Sequence, residues 1–211
     1  MKTTDLKRLG RAANERSRAA ADGFADAAAE RGLLNVAIGT VDSPIGQLTI
    51  GVTPRGLVRV AFAEEAPAEV AEDLARLVSP RVMESARATE GWRRELEEFF
   101  EARRRTFDLR VDRRLLRGLQ RDVLRATSRV PYGGVATYGE IARKIGHPTA
   151  ARAVGRALGA NPIPVVIPCH RVIGASGALT GYGGGIERKV ALLTLEGALL
   201  DARTPGNPVL P

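Results

Sequence analysis

The stretch Ile163-Pro164-Val165-Val166-Ile167-Pro168-Cys169-His170-Arg171-Val172-Ile173 decides how the C-terminal half of this 211-residue chain is read. Its aliphatic residues suggest a buried strand. Pro164 and Pro168, however, fix φ and remove two backbone donors, so the run cannot be a central strand. What is left is a rigid apolar segment that delivers a Cys-His pair out of the interior, with helices expected around it. Cys169 is the chain's one cysteine, and His147 and His170 are its two histidines. A thiol is a nucleophile only as the thiolate, and burial raises its pKa. Something must take the proton, and His170 is the adjacent candidate, directly or through a water. The plainer alternative is an inert core cysteine beside a histidine.

Immediately upstream, Thr137 is placed to cap a helix over Tyr138–Ile145, with Glu140 three residues on as a capping box requires. Gly146-His147-Pro148 ends that helix. Thr149 is then expected to cap a second, about Ala150–Leu158, built from small residues and carrying Arg152 and Arg156; Gly159 closes it. Two short helices joined by a tight turn form a helix-turn-helix pattern, which ordinary helix bundles also contain. Before it, a helix is expected over Arg113–Val130, with Leu116, Leu119, Val123 and Leu124 inward, stopping at Pro131-Tyr132-Gly133-Gly134.

The N-terminal half reads differently. Asn35–Asp42, Gly46–Thr53 and Gly56–Ala63 are strand-like, and the short turns between them imply a three-stranded antiparallel meander. Helices follow at about Pro67–Val78, with Val70, Leu74, Leu77 and Val78 on one face, and at about Thr89–Arg104, with Trp92, Leu96, Phe99 and Phe100 as core residues. No chemistry is apparent in this half. The expected class is α+β: a charged extension over 1–33, an α/β scaffold domain over 34–110, and a helical domain over 111–211.

Lysine and arginine number 32 against 24 acids, for a net charge of +8 and a sequence pI near 10.5. That surplus favours a polyanionic partner such as nucleic acid. No apolar run spans a bilayer, and the N-terminal residues carry acids and no apolar leader core, so a cytoplasmic protein is expected. With three Cys and His residues in all, neither a disulfide within the chain nor a Cys/His zinc site is expected, and no cofactor is implied.

Pro168-Cys169-His170-Arg171-Val172 resembles the active-site signature of the O6-alkylguanine-DNA alkyltransferases, the methylated-DNA–protein-cysteine methyltransferases. Further motifs resemble the family's in the same order: Pro131-Tyr132-Gly133, Thr137-Tyr138-Gly139-Glu140, Ala151-Arg152-Ala153-Val154-Gly155, Asn161-Pro162, Gly181-Tyr182-Gly183-Gly184 and Leu195-Glu196-Gly197. Residues 113–200 are covered almost continuously. The N-terminal meander resembles the family's ribonuclease-H-like domain only loosely, and 1–33 match nothing expected.

The resemblance implies a DNA-repair protein that takes an alkyl group from O6-alkylguanine, with O4-alkylthymine a second candidate, irreversibly onto Cys169. It would act as a monomer on double-stranded DNA, with the helix-turn-helix in the minor groove and the target base flipped out. His170 would act as base through a water, Glu196 would orient its ring, and Asn161 would tie the helix-turn-helix to the active-site segment. Tyr138 would crowd the target phosphate and hydrogen-bond the guanine. Arg152 would fill the gap in the base stack after flipping, with Thr149, Ala151 and Gly155 on the same DNA-facing element. Leu158, Pro164 and Tyr182 would line the pocket, and backbone groups near Val172 and Gly183 would read the guanine edge. The chain departs from the family at Leu124, where an aromatic is common, and at Gly183, where serine is. Three other readings stay in view: a cysteine hydrolase, a DNA-binding module without transfer, and a helix-turn-helix regulator.

Overall fold

In the computed structural model, residues 31–198 are described, together with 20, 21, 23–25, 27 and 28. Four strands form the first sheet: β1 (Val36–Val41), β2 (Leu48–Thr53), β3 (Gly56–Ala61) and β4 (Val82–Glu84), in the order β3-β2-β1-β4. The first three make the expected meander, with Ile38 opposite Gly51 and Ile50 opposite Val60. The fourth is not legible in the sequence. It pairs with β1 in parallel and is three residues long, too short for a periodicity to declare it.

Helix α1 (Pro67–Leu77) crosses between β3 and β4, begins with proline in its first turn, and buries Val70 and Leu74. Leu77, expected inward, lies in the last turn and is 57 % exposed. Helix α2 (Ala86–Phe100) starts three residues earlier than expected because the Ser85 hydroxyl caps it, accepting from the Ala88 amide at 3.1 Å. It buries Trp92, Leu96, Phe99 and Phe100, as the spacing implied.

Helix α3 (Gly118–Thr127) is shorter than the expected 113–130, because Arg113–Leu116 close a turn of their own, the Leu116 amide donating to the Arg113 carbonyl at 2.9 Å. Leu116, Val123 and Leu124 are buried, but Leu119 falls in the helix's first turn and is 37 % exposed. Helices α4 (Tyr138–Lys144) and α5 (Ala151–Gly159) form the helix-turn-helix. The Thr137–Glu140 capping box is present. Gly146, at φ 79°, and His147 donate back to Arg143 and Ala142, which closes α4 with a left-handed residue at the turn. Thr149 does not cap α5. The capping position is Ala150, whose φ and ψ of −91° and 23° already follow from a turn onto His147, so no extended residue is available to offer a side-chain oxygen.

A two-stranded parallel sheet, β5 (Ala136–Thr137) with β6 (Val172–Ile173), ties the start of the helix-turn-helix to the end of the cysteine segment. Helix α6 (Ile186–Leu195) ends the described fold. One hydrophobic core runs through both halves, from Leu48, Ile50 and Phe99 to Leu124, Ile141, Ile163 and Leu192. Of the extension expected over 1–33, the described residues from 20 to 28 are helical, and Ala28 packs with Leu34, Ala37 and Met83; the rest of 1–30 lies outside the described residues. Among the described residues no helix is long and apolar enough to cross a membrane.

Candidate active site

Three anchors fix the segment from Asn161 to Ile173. The Val60 amide of β3 donates to the Pro162 carbonyl at 2.8 Å, β6 pairs with β5, and internal turns join Ile167 to Ile163 and Cys169 to Ile167. Val165 sits at φ 70°, a conformation that a β-branched residue adopts only where its surroundings enforce it. The prolines therefore bracket a strained, over-determined loop, not a strand, and a 3₁₀ turn over Cys169–Arg171 presents the cysteine.

Asn161 organises this loop. Its Nδ2 donates to the Ile167 carbonyl at 2.9 Å and to Cys169 Sγ at 3.2 Å, while its Oδ1 accepts from the Ile163 amide at 3.0 Å. Cys169 is buried, and burial pushes its thiol up from the ordinary value; the Asn161 hydrogen bond opposes that without cancelling it. The resting sulfur is thus a thiol that needs a base.

His170 is fully buried and forms no hydrogen bond to Sγ. Its Nε2 donates to Glu196 Oε1 at 2.9 Å, and its buried Nδ1 has no partner among the described residues. Burial pushes the imidazole's pKa down; the Glu196 carboxylate works against this and does not overcome it. Glu196 is itself gripped by Arg171, Nε to Oε2 and Nη2 to Oε1, both at 2.8 Å. Burial acts to raise the Glu196 carboxyl, but the hydrogen bonds from His170 and Arg171 outweigh it and hold the group below the usual carboxylate range. The result is an ionised carboxylate facing a neutral imidazole whose proton sits on Nε2, which leaves Nδ1 as a proton acceptor.

Cys169 lies where two cavities meet. One, of about 180 Å³, is walled by Leu158, Asn161, Pro164, Tyr182 and Gly183, and also by Val60 and Phe62 from the N-terminal half. The other, of about 390 Å³, opens past Tyr138, Gly155 and Thr180. The N-terminal half, in which the sequence shows no chemistry, supplies a wall of the cavity and no reacting group: Phe62 meets Tyr182 edge-on at 6.0 Å, and Arg188 lies over Phe62 at 4.8 Å while pairing with Glu64. Gly184 fits only without a side chain, since a Cβ there would stand 2.6 Å from the Phe62 ring. Nothing in the strand pattern of β3 signals this role, because a residue just past a strand end looks the same whether it covers a core or a cavity.

Of the residues singled out from the sequence, the structure gathers Asn161, Tyr138, Leu158, Pro164, Tyr182 and Gly183 around the cavities at Cys169, and joins His170, the next residue in the chain, to Glu196 behind them. Val172 is apart: it lines neither cavity, and its carbonyl accepts from Lys189 Nζ at 2.7 Å. Arg152 is exposed on α5, Ala151 and Gly155 share that helix, and Thr149 is exposed before it. The Tyr138 hydroxyl donates to the Thr180 carbonyl at 2.8 Å, and burial raises its pKa, so it remains a donor.

Two residues of the site escape a reading of the sequence. Arg171 stands inside the cysteine motif, where its neighbours alone assign it no role. Lys189 is fully buried, and burial lowers its ammonium to about 8, partly offset by Cys169. A signal for it exists: Lys189, Leu192, Leu193 and Glu196 recur at helical spacing, which puts a lysine on the inward face.

This geometry can be compared with known proteins. Residues 36–113 match the 6-O-methylguanine DNA methyltransferase ribonuclease-like domain, and 118–198 match the DNA-binding domain of the same description. A methylated-DNA–protein-cysteine methyltransferase of Mycolicibacterium paratuberculosis is 46 % identical over 161 residues, 74 % of this chain and 90 % of the relative. The Mycobacterium tuberculosis O6-methylguanine methyltransferase superposes with a TM-score of 0.64 at 41 % identity, over 82 % of this chain and 95 % of that one. Its complex with DNA gives 0.66 at 42 %, over 82 % and 97 %. An archaeal relative from Pyrococcus kodakaraensis gives 0.52 at 26 %, over 77 % and 99 %. Because both halves match and nine-tenths of a relative is spanned, the chain belongs to the 6-O-methylguanine-DNA methyltransferase family.

Proposed function

We propose that this chain repairs DNA in the cytoplasm by moving the alkyl group of an O6-alkylguanine onto Cys169 Sγ, one transfer per molecule. The observation that carries the reading is Cys169 lining a cavity beside the helix-turn-helix, followed in the chain by a buried His170 whose Nδ1 has no partner among the described residues and whose Nε2 is held by Glu196, itself locked by Arg171.

In the reaction, the Cys169 proton passes to His170 Nδ1, through a water that bridges the two. The thiolate attacks the alkyl carbon in line, the S–C bond forms as the C–O6 bond breaks, and the electron pair stays with the guanine. The proton returns to the guanine, so atoms and charge balance and the base leaves neutral. Glu196 keeps the imidazole in the tautomer that accepts at Nδ1 and stabilises the imidazolium that forms. Tyr138, held protonated by burial, is the donor that steadies the departing base.

An alkyl carbon inside a duplex is out of reach of the sulfur, so the nucleotide must flip out, at a cost of a few kcal/mol. The small residues of α5 permit close approach to a groove, and Arg152, exposed in its first turn, is the side chain that takes the vacated place in the stack. The thioether product is not reversed by thiols, which accounts for single turnover.

The test is the intact mass after incubation with a duplex containing O6-methylguanine, followed by peptide mapping. One added methyl on Cys169, saturating at one per chain, is expected. Tight lesion binding with no added mass would overturn the transferase reading in favour of a recognition module.

A further inference from the structure

On the far side of the cysteine segment lies a cleft of about 580 Å³ between the two halves of the molecule. It shares no lining residue with either cavity at Cys169. Six arginines line it: Arg55, Arg105, Arg110, Arg113, Arg129 and Arg171, and no acidic residue does. Arg171 is neutralised by Glu196. The other five have no carboxylate partner among the described residues, although arginines elsewhere, such as Arg76, Arg103 and Arg104, do.

This cluster is held in place. The Leu57 amide donates to the Arg110 carbonyl at 3.0 Å, and the Asp112 amide donates to the Leu57 carbonyl at 2.7 Å, so the segment bearing Arg110 and Arg113 is pinned to β3. Gly56, at φ 125°, lets the hairpin carrying Arg55 press against it; a Cβ there would collide with the Arg110 carbonyl. Across the cleft, the Tyr132 ring lies 5.6 Å from the Arg105 guanidinium and 5.8 Å from that of Arg171, and its hydroxyl is tied to the Leu195 carbonyl.

Guanidinium groups stay charged at any physiological pH, so five of them gathered in a concave site without counter-charge repel one another. Such an arrangement is relieved by a partner bringing several spaced anionic oxygens, and the planar fork of arginine matches phosphate oxygens in pairs. We propose that this cleft binds the phosphate backbone of a second DNA segment, separate from the one held by the helix-turn-helix. The chain would thus be able to touch two stretches of DNA at once. The inference does not depend on alkyl transfer, because undamaged DNA is enough to read it.

The experiment compares the full chain carrying Arg152→Glu and Arg156→Glu, which weakens the helix-turn-helix face, with the same chain also carrying Arg105→Gln, Arg110→Gln and Arg113→Gln. Binding of a short undamaged duplex is titrated across salt concentrations, and a thermal melt checks folding. The added substitutions are expected to weaken residual binding at least tenfold and to flatten the slope of log K against log salt by roughly 0.9 for each phosphate no longer engaged. Unchanged affinity and slope would overturn the proposal. So would displacement of the duplex by equimolar inorganic phosphate, which would make the cleft a small-anion site. If the combined variant fails to fold, the three single substitutions read the same slope one arginine at a time.

Discussion

Arg171 holds Glu196 by both carboxylate oxygens, and one of these, Oε1, also accepts from His170. The histidine's orientation is therefore set by an arginine that faces away from the pocket. All three side chains are nearly or fully buried, so the ion pair is little weakened by solvent.

Glu196→Gln removes the charge and lets an amide donate toward the ring, which favours the wrong tautomer. Transfer is expected to slow by about 10²- to 10⁴-fold, as when a general base is removed or misdirected. Breaking one side of a buried pair also costs about 3–5 kcal/mol, measurable as a lower denaturant midpoint. A variant with unimpaired transfer would remove Glu196 from the mechanism.

Stability should fall on the acid side through His170. Its folded pKa lies below the ordinary 6.5, so under mildly acid conditions the unfolded chain binds a proton that the native state refuses. More protons on the unfolded state means that stability rises with pH, and hence is lost as pH drops below about 6.5. In urea titrations across that range, His170→Gln should flatten the slope. An identical slope in the variant would assign the acid sensitivity elsewhere.

Two glycines should answer an alanine substitution oppositely. At Gly184 the new methyl meets the Phe62 ring at 2.6 Å and Tyr182 at 3.0 Å, and overpacking of that kind costs about 1–3 kcal/mol and narrows the pocket. At Gly155, inside α5, the nearest atom is a Tyr138 ring carbon at 3.7 Å, an ordinary van der Waals distance. Gly155→Ala should raise stability by about 0.5–1 kcal/mol while weakening duplex binding, because the added methyl lies on the helix proposed to face DNA. Melting curves and duplex titrations on both variants separate the two effects.

Cys169→Ser should abolish transfer and leave duplex binding largely intact. Arg152→Ala should slow transfer from a lesion in duplex far more than from free O6-benzylguanine, since only the duplex has a stack to fill. Equal slowing on the two substrates would sink the stack-filling role.

Much of the site is readable in the sequence because its residues carry chemistry that few other roles require. A Cys-His pair straight after a proline-bracketed apolar run, an Asn-Pro eight residues earlier and a glutamate closing a helix are conspicuous in one dimension. The Thr137–Glu140 box is readable because capping is local. What escapes depends on partners distant in sequence. The pairing of β4 with β1, the Phe62 wall and the work of Arg171 each arise from neighbours that periodicity does not encode. Thr149 misleads because a turn can feed a helix without an extended capping residue.

The seam between the halves has a consequence for substrate range. One wall of the smaller cavity is Phe62, and Phe62 is positioned by Arg188, which reaches from α6 to Glu64 and to the Ile45 carbonyl at 2.8 Å. With the alkyl group lodged in this cavity as proposed, its room would be gauged by how tightly two halves of the chain are latched, as well as by the residues that touch it. Loosening the latch at Arg188 is then expected to admit bulkier adducts without altering the sulfur, its proposed base or its carboxylate, a separation of lesion size from chemistry that transfer rates with methyl and benzyl adducts would reveal.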